Sequence, residues 1–365
     1  MTLRLGVIGV GDVAQRDYLP ELSRLQGRAE VAVVCARTPQ RARDVASRYD
    51  VPRWTTSYDE VVSAPDVDAV LNLTPIQLHA EVTMAALTAG KHVYSEKPVA
   101  GSSTEAARIA DEAESRGLVV VAAPCVMLFP QVRYVTALVA SGALGRIHSA
   151  RGLAFAGVPP WQGYISDPSP YFAEGGGPLV DMAVYPLHAL TGLLGPVRRV
   201  TGLSRQTRES FRPTEGPSAG GMVHVEVDDN WHLVLELASG TLASVQANSC
   251  AEVAFAPELE LQGERGTVGL SLLDVTEPVR VLVDGVASEE HVQHARVAGP
   301  DHLLGVEHLV DCIERREAPT LSVDHARHVI DVLEAAQSSA ASGWTARVSS
   351  SFGQAPQEAL CVDGS

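Results

Sequence analysis

The stretch GVIGVGDVA, residues 6–14, constrains this chain more than any other. It follows the strand-like run LRLGVI and opens a helical segment, and Gly9, Gly11 and Ala14 match the spacing G-x-G-x-x-[GA]. Gly9 permits a tight turn, Gly11 lets a pyrophosphate approach the backbone, and Ala14 allows a helix to pack closely on the strand. Gly11, Asp12 and Val13 then lie at a helix N-terminus, whose N–H groups and positive dipole end suit phosphates. A chain that begins in this way folds as a dinucleotide-binding α/β unit.

The next hundred residues agree. LRLGVIG, EVAVVCA, DAVLNL, KHVYS and LVVVAA read as buried parallel strands, apolar on both faces. The segments at 17–25, 39–49, 80–90 and 103–117 read as the helices between them. The strand at 30–36 ends at Ala36, where an NAD site usually presents a carboxylate to the ribose 2′-hydroxyl. Here Ala36, Arg37 and Thr38 stand instead, so nothing repels a 2′-phosphate and Arg37 is available to pair with it. NADP is therefore the expected cofactor, with NAD as the alternative. An ordinary surface arginine would look the same.

After Pro124 the pattern changes. A helix at 130–141, a strand at 147–155 and an aromatic-rich loop at 158–177 precede strands at 222–227, 231–237, 241–247 and 258–263. Helices follow near 303–314 and 324–339. The expected architecture is α/β: a Rossmann domain over 1–124, and an α+β domain over 125–348 with a large, mostly antiparallel open sheet. A loose tail is expected over 349–365.

Within GGGPLVDMAVYPLH, residues 175–188, one helix is expected from Pro178 to Gly192, kinked at Pro186. It is apolar nearly all round, yet Asp181, Tyr185 and His188 fall within an arc of roughly 60°. Taken alone, that stripe reads equally as a solvated face or as the wall of a site. Lysine is scarce: of 28 basic residues only Lys91 and Lys97 are lysines. Arginine does not give up a proton near neutrality whereas lysine can, so Lys97 stands out.

The run at 71–100 resembles the Gfo/Idh/MocA oxidoreductases, through Thr74 and Pro75, His79, AGKHV at 89–93, and Glu96, Lys97 and Pro98. LGRI at 144–147, the GGG-P-L-x-D of 175–181 and GVEHLVDCI at 305–313 extend the likeness over nearly the whole chain. The resemblance implies hydride transfer between nicotinamide and a secondary alcohol of a sugar or polyol, and a dimer or tetramer joined through the open sheet. It places Thr74, Pro75, His79 and Glu96 at the cofactor, and Lys97 at both nicotinamide ribose and substrate. Asp181 takes the acid position, and Tyr185 stands where many members have a histidine acid/base. Trp161, in the aromatic loop, and His188 complete the expected substrate wall, His188 being the rival for the proton-transfer role. Three departures stand out: APCVMLFP lacks the Asn or Arg usual before its proline, Ala183 replaces a glycine, and His188 replaces an Asp.

The formal net charge of −16 argues against nucleic acid or an anionic membrane as partner. Five scattered cysteines without a C-x-x-C pair, no leader-like segment and no apolar run near 18 residues point to the cytoplasm. His291 with His294, and His325 with His328, lack a third ligand at suitable spacing, so no metal is expected. Two rival functions remain on this reading: an NAD-assisted glycosidase of the same fold, and a non-catalytic dinucleotide sensor that would have no need of Lys97.

Overall fold

The computed structural model describes residues 2–353 except 156, 162, 252–253, 295 and 297–298. The chain forms two compact units. One comprises the chain up to Pro124 with His302–Arg327, the other Cys125–Asp301 with the chain from His328 onward.

In the first unit, strands β1 (Leu3–Ile8), β2 (Ala29–Cys35), β3 (Trp54–Thr55), β4 (Ala69–Asn72), β5 (His92–Ser95) and β6 (Val120–Ala122) form one parallel sheet in the order β3-β2-β1-β4-β5-β6. The chain goes one way from β1 to β2 and the other way to β4, so a crevice opens beyond the carboxyl ends of β1 and β4. Strand β3 was not expected; two residues are too few to show a periodic pattern. Helices α1 (Pro39–Arg48), α2 (Tyr58–Val62), α3 (His79–Thr88) and α4 (Ser103–Arg116) connect the strands. The Ser102 hydroxyl caps α4 by accepting the Glu105 N–H, and left-handed Gly117 ends it.

The first crossover departs from the regular helix expected at 17–25. A helix starting at Asp12 widens into a π turn over Ala14–Tyr18, then tightens into a 3-10 helix over Leu19–Leu25. Pro20 has no N–H for the Arg16 carbonyl, and the Leu19 N–H bonds back to the Ala14 carbonyl, five residues behind. This turn brings the Tyr18 side chain into the interior, fully buried.

The segment 302–327, read from sequence as part of the second domain, packs with the first unit. Its helix, counted below as α9 (Leu303–Arg315), lies against β5 and β6. Gly305 makes this possible, because a Cβ there would stand 2.5 Å from Cε2 of Tyr94.

The second unit holds α5 (Pro130–Ala140), β7 (Ile147–Phe155), α6 (Ser169–Phe172), α7 (Gly177–Asp181), α8 (Val184–Leu194) and β8 (Val197–Arg205). A two-stranded ribbon of β9 (Ser210–Phe211) and β10 (Val223–His224) follows. Next come β11 (Asn230–Leu237), β12 (Leu242–Asn248), β13 (Leu259–Gly263), β14 (Gly266–Leu270), β15 (Val279–Val283) and β16 (Val286–Glu290). After α9, helix α10 (Val323–Ser342) begins in the first unit and runs on into the second, followed by β17 (Ala346–Arg347).

The large sheet has the order β16-β15-β14-β13-β7-β12-β11-β8-β17, antiparallel except where β12 lies parallel to β7. Expected strand 222–227 shrinks to two residues. Along β11 the alternation is regular: Trp231, Leu233, Leu235 and Leu237 are buried, while Val234 points outward at 57% exposure. On the covered face α8 sits directly on β7, where a Cβ at Gly152 would meet Pro186 at 2.7 Å. The start of the expected loose tail is held: the Asp331 carboxylate accepts the N–H groups of Ser349 and Ser350, and Ser350 bonds His328. Residues 354–365 lie outside the described residues.

Candidate active site

In the first unit, the expected cofactor residues gather at the carboxyl edge of the sheet. Gly9 follows β1 with φ +93°, and a Cβ there would stand 2.4 Å from the Leu73 carbonyl oxygen just after β4. Only glycine turns the chain so tightly against that backbone. The turn delivers Gly11, Asp12 and Val13 to the start of a helix, whose first N–H groups have no partner within it. The Asp12 carboxylate is buried and paired with Arg16 at 2.5 Å, so this residue offers a ligand its backbone and not its charge.

At the end of β2, Ala36 is buried and its N–H bonds the Thr55 carbonyl at 3.2 Å. Arg37 and Thr38 are exposed, and Thr38 precedes α1. Trp54 of β3 lies beneath the Arg43 guanidinium, 5.2 Å from the ring centre. No carboxylate stands at 36–38 themselves.

Beyond β4 and β5, two turns are tied together. Asn72, fully buried, accepts the Thr74 hydroxyl at 2.7 Å and donates to the His79 carbonyl at 2.9 Å. The His79 ring lies between two backbone carbonyls, of Pro98 at 2.7 Å and of Thr74 at 2.8 Å. Burial holds its pKa below the ordinary value, against the pull of those carbonyls. His79, expected at the cofactor, thus engages both ring nitrogens with the protein: it joins the Thr74–Pro75 turn to the turn carrying Lys97. Glu96 is buried; one carboxylate oxygen accepts the Tyr18 hydroxyl and the other the Lys97 N–H. The Lys97–Pro98 peptide is cis. Asn72 and Tyr18 escaped the sequence reading, and Tyr18 carried no signal because its partner lies 78 residues away.

In the second unit the three glycines that lead into α7 have separate reasons. Gly175 and Gly177 have φ of +81° and +84°, and a Cβ on Gly176 would stand 2.6 Å from the Tyr171 carbonyl. The single kinked helix expected from Pro178 is in fact two. Helix α7 stops at Asp181 and α8 starts at Val184, so the break precedes Pro186. Proline is tolerated in the first turn of a helix, where its missing N–H has no partner to lose. The Met182 carbonyl, which Pro186 cannot serve, takes the Tyr185 N–H at 3.2 Å.

This break separates the expected stripe. Asp181 and Tyr185 are half-buried, whereas His188 is buried, with its Nδ1 2.7 Å from the Val184 carbonyl. Burial pushes the His188 pKa down to about 4, so near neutrality its ring is uncharged. Trp161 packs edge-to-face on Tyr164 and on Tyr171, at 5.8 and 6.2 Å between ring centres. Tyr171 is a further residue the sequence reading missed: burial first, and the Asp181 carboxylate second, raise its phenol well above the ordinary value. Among the described residues no group of three or more His, Cys, Asp or Glu is placed to hold a metal. Nor is any helix among them long and apolar enough to cross a membrane.

Comparison with known proteins gives a consistent result. Residues 3–123 match the model of an oxidoreductase family with an NAD-binding Rossmann fold (GFO/IDH/MocA), and residues 132–269 match the corresponding C-terminal domain. The chain is 36% identical over 201 residues to dTDP-3,4-didehydro-2,6-dideoxy-alpha-D-glucose 3-reductase of Streptomyces violaceoruber, a match spanning 55% of this chain and 57% of that protein. It is 26% identical over 345 residues to trans-1,2-dihydrobenzene-1,2-diol dehydrogenase of Bos taurus, covering 92% of this chain and 96% of the other. Among solved structures, levoglucosan dehydrogenase in complex with NADH superposes with a TM-score of 0.81 at 20% identity, covering 96% of this chain and all of that one. At that identity the likeness speaks for the fold.

Proposed function

The chain belongs to the Gfo/Idh/MocA family of oxidoreductases, and on that premise we propose that it moves a hydride between NADP(H) and a secondary alcohol or ketone of a sugar-like substrate. The observation that carries this reading is the buried scaffold behind Lys97. Asn72, His79 and Glu96 hold two turns of the first unit so that Lys97 comes off the carboxyl edge of a Rossmann sheet. A dinucleotide sensor would need the glycine turn but not this scaffold.

The residues at the edge fit the cofactor. The N–H groups of Gly11, Asp12 and Val13 would take the pyrophosphate, and Arg37 with Thr38 the 2′-phosphate, since residues 36–38 carry no opposing charge. When bound, the nicotinamide supplies or accepts the hydride. Lys97 donates a hydrogen bond to the reacting oxygen. Tyr185 exchanges the proton of that hydroxyl, and Asp181 orients a neighbouring hydroxyl of the substrate. Tyr185 is favoured over His188 for the proton because His188 is buried and bonded to its own helix. Trp161 offers an apolar wall to a sugar ring.

The first unit thus serves the cofactor and the second the substrate. Subunits join through the open face of the large sheet, where Leu203, Val234 and Leu242 are 71%, 57% and 55% exposed. The test is to incubate the purified protein with NADP and with NAD against a panel of polyols, aldoses, keto sugars and glycosides, reading reduced nicotinamide at each addition. A glycoside cleaved without net change in the nicotinamide would instead indicate the NAD-assisted glycosidase.

A further inference from the structure

Behind Lys97 lies a buried chain of hydroxyl and carboxylate groups that none of the proposed steps uses. The Tyr18 hydroxyl is 2.5 Å from Oε1 of Glu96 and 2.7 Å from the Tyr94 hydroxyl. Glu96 Oε2 accepts the Lys97 backbone N–H at 2.9 Å. Tyr18 and Tyr94 are fully buried and Glu96 is 7% exposed. A carboxylate can only accept, so the single Tyr18 proton points to Glu96 and Tyr94 must donate to the Tyr18 oxygen. The chain therefore runs in one sense: Tyr94 to Tyr18 to Glu96, with Glu96 receiving Lys97 from the far side. Charge-assisted bonds of this kind between buried groups are strong and well oriented.

Three separate features of the fold converge to make it. The π turn forced by Pro20 brings Tyr18 inward. Strand β5 supplies Tyr94 and continues into Glu96 and Lys97. Helix α9 closes over Tyr94 only because residue 305 is glycine: a Cβ there would stand 2.8 Å from the Tyr94 hydroxyl oxygen. His302, just before α9, lies with its ring centre 6.1 Å from that of Tyr18.

We propose that Tyr18 is a positioning residue for Lys97. Its hydroxyl fixes the Glu96 carboxylate in the orientation that anchors the Lys97 backbone, and so sets where the lysine ammonium is presented. Tyr94 supports Tyr18 in turn. The inference rests on the reading of Lys97 as the group at the substrate, but the tether itself can be tested without turnover.

The two lysines make the test direct. Protein labelled with 15N-lysine gives one amide signal from Lys97, at the tether, and one from Lys91. Lys91 serves as the fold control, since its N–H bonds the Ala86 carbonyl and its ammonium bonds the carbonyls of Ala64 and Val67. In full-length Tyr18→Phe, the Lys97 amide signal should move and its hydrogen exchange accelerate by about tenfold or more, while Lys91 stays in place. Tyr94→Phe keeps the Tyr18–Glu96 bond and should change the Lys97 exchange rate less than threefold or so. With an active substrate in hand, Tyr18→Phe should lower kcat by roughly tenfold with little change in cofactor affinity.

Should Tyr18→Phe fail to fold, Glu96→Gln is the second variant. Its neutral amide can keep only one of the two contacts as an acceptor and turns the other into a donor, so the charge-assisted bond to the Lys97 N–H is lost in either arrangement and the Lys97 amide signal should move. An unmoved, equally protected Lys97 amide in the folded variant overturns the tether and leaves the hydride-transfer reading intact. Full turnover in Lys97→Ala, with the Lys97 amide still perturbed in Tyr18→Phe, removes that reading instead.

Discussion

Gly9 and Leu73 come so close that no side chain fits between them. A Cβ on Gly9 would stand 2.4 Å from the Leu73 carbonyl oxygen, at a backbone φ of +93°. Gly9→Ala combines backbone strain with a clash against immovable backbone, and should cost about 2–4 kcal/mol of stability. It should also weaken NADPH binding at least tenfold, because the turn carrying Gly11, Asp12 and Val13 is displaced. Thermal melts and a fluorescence titration with NADPH measure both; wild-type affinity in this variant would show that the turn does not form the phosphate site.

Ala36→Asp should reverse cofactor preference. A carboxylate at the end of β2 would face the 2′-phosphate with like charge, costing several kcal/mol or so against NADP(H) while offering NAD(H) a ribose partner. Ratios of kcat/KM for the two cofactors decide it. A wild-type protein already preferring NAD by tenfold would refute the assignment of Arg37 and Thr38.

Lys97→Ala should leave cofactor dissociation constants within a few-fold of wild type while hydride transfer falls by about two to four orders of magnitude. Stopped-flow measurement of a single turnover separates the chemical step from product release. Near-normal rates would take Lys97 out of the reaction.

Tyr185→Phe and His188→Asn should behave in opposite ways. Removing the Tyr185 hydroxyl should lower kcat by about 10² while leaving the fold alone, as losing a general acid/base does. His188 is buried against the Val184 carbonyl, so its replacement should cost roughly 1–3 kcal/mol of stability with kcat near wild type. A kcat loss in His188→Asn larger than in Tyr185→Phe would move the proton to His188.

Acid should destabilise the second unit before its carboxylates are titrated. His188 and His328 both have folded pKa values near 4, chiefly through burial, against 6.5 for an ordinary histidine. The unfolded chain therefore binds protons that the folded one refuses between those values. Their contribution is full above pH 6.5 and is lost as the pH falls toward 4. For the fully buried His188 the loss is on the order of 3 kcal/mol. Urea midpoints at pH 7.5 and 4.5 should differ accordingly, and His188→Asn should flatten the dependence. An unchanged midpoint in wild type would contradict the buried, neutral state.

Much of the first unit was legible because a strand buried on both faces writes itself as an unbroken apolar run, as in DAVLNL. The glycine turn was legible because its geometry admits few residue types. Local pattern could not show what distant residues decide. Tyr18 reads as one more helical residue until Glu96, 78 positions on, accepts its hydroxyl. His79 sits in a family-like motif, yet two carbonyls occupy both its nitrogens. The stripe of Asp181, Tyr185 and His188 assumes one continuous helix, whereas the helix breaks after Asp181 and restarts at Val184, ahead of the kink expected at Pro186. The place of β7 in the middle of a nine-stranded sheet rests on pairings nearly a hundred residues apart, which no periodicity encodes.

The late arrival of α9 has a consequence for synthesis. The strands it covers are complete by Ala122, but Gly305 leaves the ribosome roughly 180 residues later, a delay of about 10–35 s at ordinary rates of elongation. Throughout that interval the nascent nucleotide-binding half exposes Tyr94 and the flank of β6 with nothing to cover them. A fragment ending near residue 124 would therefore lack the helix that covers Tyr94 and β6, and a pause anywhere between β6 and α9 would lengthen that exposure.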